Sequence, residues 1–106
     1  MTTSLRVTQW ESATPPTQDL LWAIMERQKL NPYIWSNRPY DSYSAHKHDY
    51  EKVIYVVEGS ITFNLPILKK QIVLNKGDRL DLPAQVVHAA QVGAEGVICI
   101  EGHRLS

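Results

Sequence analysis

Residues 46–59 read HKHDYEKVIYVVEG, and this stretch decides the fold. Residues 43–49 and 52–58 read as two short strands, and Glu58-Gly59 as a turn after them. Successive side chains on a strand point to opposite faces, so His46 and His48 share one face. Their Cβ atoms then lie about 6.5 Å apart along the strand. That is close enough for both imidazoles to reach one ion at about 2.0–2.1 Å. Tyr50, Lys52, Ile54 and Val56 continue this face, and Glu51 falls on the other unless a bulge turns it inward.

The same rhythm runs to the end of the chain. Ile61, Phe63 and Leu65 alternate with Thr62 and Asn64, the period of a half-buried strand. Gln71-Ile72-Val73-Leu74 follows, with Lys69-Lys70 as an exposed hairpin pair before it. Leu80 and Leu82 alternate with Arg79 and Asp81 after the turn Asn75-Lys76-Gly77-Asp78. Two further strands are expected at 85–92 and 97–103, separated by Gly93-Ala94-Glu95-Gly96, and Tyr33-Ile34-Trp35 opens the series. Many short strands at near-regular spacing predict an all-β sandwich or closed barrel over residues 33–104.

Only one segment reads as a helix. Leu20, Leu21, Ile24 and Met25 recur at helical spacing behind Pro15-Pro16, with Thr14 or Thr17 as N-cap. Asn31-Pro32 ends the pattern. The spacing predicts an amphipathic helix over 17–30 that caps one end or one face of the barrel. The first dozen residues are expected to be loosely held.

The chain has 106 residues, so one domain spanning 1–106 is expected. Eleven basic and eleven acidic residues cancel, leaving no field to draw the chain to nucleic acid or an anionic membrane. There is one cysteine, Cys99, and no apolar run of signal-peptide or membrane-spanning length. These features predict a soluble cytoplasmic protein. Cys99 lies between Ile98 and Ile100 and reads as a small buried hydrophobe. No phosphate loop, Ser–His–Asp order or CxxC pattern is present, and no cofactor-binding residue is assigned.

Taken alone, His88 reads as a core histidine bonded to backbone, since Val86, Ala90 and Val92 share its face. Its spacing says more. Residues 40–59 and 77–92 resemble the two sequence motifs of the cupin superfamily. In the first motif His46, His48 and Gly59 match, Lys52 stands where the family has glutamate, and Tyr40 replaces the leading glycine. In the second, Gly77, Pro83 and His88 match in register, while Gln85 and Val92 replace the glycine and asparagine. The resemblance implies a double-stranded β-helix (jelly-roll) barrel. It also implies a divalent ion (iron, manganese, nickel, copper or zinc) held by His46, His48 and His88.

Lys52 leaves three outcomes open, because an ammonium has three donors and no acceptor. Three histidines hold the ion while Lys52 turns aside to grip an anionic substrate or donate a proton. That outcome suits an oxygenase or isomerase, with Lys52 as candidate catalytic residue. Alternatively, the ammonium replaces the metal and the barrel is a non-catalytic binding or sensory module for a small organic anion. Finally, Lys52 pairs with an acid, with Glu101 the candidate, and the site is vestigial. Tyr50, Lys52 and Glu101 are the expected pocket residues beside the histidines, with Trp35 at the mouth. His103 reads as a solvated surface residue, with a fourth metal ligand as the alternative. The partners expected are a small molecule in the barrel and a second copy of the chain, since barrels of this size protect strand edges by pairing.

Overall fold

A computed structural model describes residues 5–104, so the expected span 1–106 runs beyond the described residues at both ends. Seven strands and one helix run in the order β1 (Arg6–Thr8), α1 (Gln18–Arg27), β2 (Tyr33–Asn37), β3 (Ser42–His46), β4 (Glu51–Leu65), β5 (Lys70–Asn75), β6 (Arg79–Leu82) and β7 (His88–Arg104). The fold is all-β with one short helix, as the alternation predicts, and every strand pair is antiparallel.

Two long strands build both layers. The first half of β4 pairs with β6, and its second half pairs with β5. β4 also pairs with β7 along most of its length. The far half of β7 carries β2 and its near half carries β3. One layer is therefore β1-β6-β4-β7-β2, and the other is β5-β4-β7-β3. The separate strands expected at 52–58 and 61–65 are one strand, and so are those expected at 85–92 and 97–103. The reason is local. Gly59 and Gly96 both sit at left-handed φ, +79° and +77°, and a Cβ on Gly59 would lie 1.9 Å from the Gly96 carbonyl oxygen. Two facing glycines with shifted register bend the ribbon from one layer into the other without breaking it.

The layers enclose an apolar core of Ile54, Val56, Ile61, Phe63, Leu65, Leu74, Leu80 and Val92, together with buried Cys99. Val53, Tyr55 and Val57 alternate to the outer face of β4, where Leu21 and Met25 of α1 cover them. Burial on both faces explains why residues 53–57 read as an unbroken apolar run. The helix covers a face of the barrel. Thr17 caps it, its hydroxyl accepting from the Leu20 amide. It stops earlier than expected, at Arg27, because Lys29 and Asn31 turn left-handed at φ 59° and 49° ahead of Pro32.

Two other differences concern the ends of strands. The N-terminal segment is not loose throughout: Arg6–Thr8 add to the edge of β6 in register with Arg79–Asp81. β3 ends at His46, so the strand expected over 43–49 stops before His48. Among the described residues, no helix is long and apolar enough to cross a membrane.

Candidate metal centre

His46 is the last residue of β3 and pairs across the ladder with His88, the first residue of β7. His48 lies beyond the strand end, and its carbonyl accepts from the Gln85 amide at 2.7 Å. That bond ties the segment after β3 to the corner before His88. Shared strand facing thus is not what brings His48 in; a loop pinned to the second motif does so. The ring centroids lie 4.4 Å apart for His46–His88, 4.8 Å for His46–His48 and 5.3 Å for His48–His88. One nitrogen from each ring falls within 4.8 Å of the others, and no carboxylate of the described residues joins the set.

The rings present lone pairs to the centre. His46 Nδ1 bonds the Ser44 carbonyl at 2.7 Å, and His88 Nδ1 bonds the Val86 carbonyl at 2.9 Å. An Nδ1–H donating to backbone leaves Nε2 bare. His48 Nε2 and His88 Nε2 are buried with no hydrogen-bond partner among the described residues. Burial, first of all, lowers the pKa of His88 and of His48. Lys52 and His46 lower both further, so the neutral imidazole is favoured.

A second cluster faces the first. Glu101, only 4% exposed, takes the Tyr33 hydroxyl on Oε2 at 2.7 Å and the Trp35 indole N–H on Oε1 at 2.9 Å. His103 Nε2 lies 2.6 Å from the same Oε2. Lys52 Nζ lies 3.6 Å from Oε2, an ion-pair distance beyond hydrogen bonding. Burial works to raise the Glu101 pKa, but Lys52 and the bonds from His103, Tyr33 and Trp35 outweigh it and hold the carboxyl below its usual range. Tyr50 joins the clusters by stacking on His48 at 4.8 Å and on His103 at 4.1 Å.

Between the clusters lies a cavity of about 290 Å³, lined by the three histidines, Lys52 and Glu101 on its polar side. Trp35, Ile54, Ile61 and Phe63 form its apolar wall. Tyr50, Lys52 and Glu101 line this cavity, and Trp35 lines it with them. Glu51 stays on the opposite face, 3.7 Å from Arg104, and no bulge turns it inward. His103 is not a loose surface residue; it belongs to the Glu101 cluster. The sequence places Tyr33 on a strand but not at the site. Its signal was spacing: Tyr33 and Trp35 share a face of β2, as Glu101 and His103 share a face of β7, and Tyr33 pairs with Glu101 across the ladder.

No protein-family model matches the chain, and neither does any curated protein. Solved structures do. A RmlC-like cupin from Shewanella frigidimarina NCIMB 400 is 27% identical with a TM-score of 0.61, over 71% of this chain and 65% of that one. A cupin-2 domain containing protein from the same organism is 23% identical with a TM-score of 0.57, over 69% of each chain. The chain is a small cupin-superfamily domain. A further neighbour comes from the crystal structures of the DMSP lyases RdDddP and RnDddQII. It is 25% identical with a TM-score of 0.64, over 73% of this chain and 39% of that one. The chain spans less than two thirds of the RmlC-like cupin and of the lyase-structure chain.

The residues of this cupin fit a divalent ion. Three imidazoles with Nε2 free, two of those atoms buried and otherwise without a partner, form a donor set that suits first-row ions. Backbone carbonyls on Nδ1 fix two of the rings, the usual outer-shell arrangement for ligating histidines.

Proposed function

We propose that this cupin holds a divalent metal ion on Nε2 of His46, His48 and His88 and takes a small molecule into the adjoining cavity. The observation that carries the reading is the pair of buried, unpartnered Nε2 atoms of His48 and His88 beside the third imidazole. An unsatisfied buried polar atom costs about 1–3 kcal/mol, and a shared ion removes two such costs at once. When bound, the ion supplies a Lewis acid with open positions, which suits oxygenase or isomerase chemistry.

The chain's own groups do the rest. Ser44 and Val86 hold the imidazole planes. Lys52 presents a cation to an anionic group of the small molecule, as the candidate catalytic residue. Glu101 sets the place of Lys52, and Trp35 and Phe63 exclude water from one wall. A second reading, a metal-free pocket for a small organic anion, is favoured by the same Lys52. No acceptor among the described residues comes within hydrogen-bonding distance of its amine.

Metal analysis of protein purified without chelator or affinity metal tests the first reading. About one ion per chain is expected, reduced at least tenfold in His88→Ala. Because His88 is buried, His46→Ala at an exposed position is run beside it, with the same loss expected from a folded protein. Absence of any ion after loading with zinc, nickel, manganese or ferrous iron would sink the reading.

A further inference from the structure

The charges around the cavity do not balance once an ion is in place. Three neutral imidazoles give a divalent ion no negative charge, and no carboxylate of the described residues joins them. The fixed charges that line the same cavity are Lys52 and Glu101. These two cancel, and the carboxylate is already engaged with Tyr33, Trp35 and His103. The ion would keep its full double positive charge in a partly buried site, with an ammonium across the cavity. Such a charge is costly unless an anion compensates it.

Resting on the metal reading above, we infer that metal ion and a small carboxylate ligand bind this cupin cooperatively. One oxygen group of the ligand completes the ion's shell, and a second carboxylate takes the Lys52 amine. Lys52 is built for this role. Lys52 lines the cavity, its contact to Glu101 is 3.6 Å with no hydrogen bond, and its donors are available to an incoming acceptor. Glu101 stays in place when Lys52 changes partner, because its other donors remain. The apolar wall of Trp35, Ile61 and Phe63 selects a ligand whose carbon frame is apolar and whose charge lies at its ends. Lys52 thus weakens the bare ion and strengthens the ion–dicarboxylate complex.

Calorimetric titration of the full chain with zinc, a redox-inert probe, is run with and without malonate, corrected for zinc–malonate complexes in solution. Malonate is expected to raise zinc affinity about tenfold, and zinc to raise malonate affinity by the same factor, since coupling is reciprocal. Lys52→Met is expected to bind zinc alone more tightly than the natural chain and to show a weaker coupling, whereas Lys52→Arg keeps it. Equal zinc affinity with and without malonate overturns the inference and leaves the metal reading standing. Undiminished coupling in Lys52→Met does the same. If zinc does not bind under either condition, the metal reading itself fails and takes the inference with it.

Discussion

Two cation–carboxylate pairs lie on opposite faces of one layer, and they are built differently. On the outer face, Arg79 grips Asp81 through a fork, Nε to Oδ1 at 2.7 Å and Nη2 to Oδ2 at 3.1 Å, and Nη1 reaches the Tyr55 hydroxyl at 3.3 Å. Burial works to lower the Arg79 pKa, but Asp81 and Tyr55 outweigh it and raise it. On the inner face, Lys52 and Glu101 share only a 3.6 Å charge contact, and the carboxylate takes its hydrogen bonds elsewhere. A fork-held arginine is a fixed strut. A lysine without a hydrogen bond can change partners. One layer therefore carries a structural pair and a working pair, told apart by hydrogen bonding and not by charge or burial.

The largest effect is expected at the strut. Asp81→Ala leaves Arg79 buried and uncompensated, and should cost about 3–5 kcal/mol of stability by urea unfolding. A loss under about 1 kcal/mol would erase the distinction between the pairs. Next comes Glu101→Gln, expected to cost about 1.5–3 kcal/mol at pH 7 through weakened charge-assisted bonds. Its pH dependence has a definite sign. The folded pKa lies below the ordinary 4.5, so the carboxylate's extra stability is complete above that value and fades as pH falls through the folded one. Unfolding the natural chain and Glu101→Gln over a pH series should show the gap closing on acidification; a gap that widened would refute the assignment. The smallest effect belongs to Lys52→Met, expected to cost less stability than Glu101→Gln in the same assay, because Glu101 keeps its bonds with Tyr33, Trp35 and His103.

Much of this was legible in the chain. Period-two alternation sets the facing of Lys52, Ile54 and Glu101, and the apolar period of 3.6 finds α1. The resemblance to the cupin motifs, carried by His46, His48 and His88 at their offsets from Gly59, Gly77 and Pro83, is what points to the centre. What stayed hidden depends on contacts between distant segments. Gly59 reads as a turn until Gly96 lies opposite, and only then does the bend in a continuing strand become the better solution. Arg6–Thr8 are too few to show a period, and their pairing is decided by the open edge of β6. His48 reaches the centre through a bond to Gln85, which no local pattern announces. His103 reads as a free surface histidine because its partner Glu101 binds it through folded side-chain geometry.

The paired glycines carry one more consequence. Because β4 and β7 cross from one layer to the other at Gly59 and Gly96, the two layers are joined through the same pair of strands. The imidazole end and the ammonium end of the cavity are opposite reaches of the same two-stranded hinge. A disturbance at the hinge alters the gap between them as a pair of tongs alters its grip, so the width available to a ligand depends on more than the residues that would touch it.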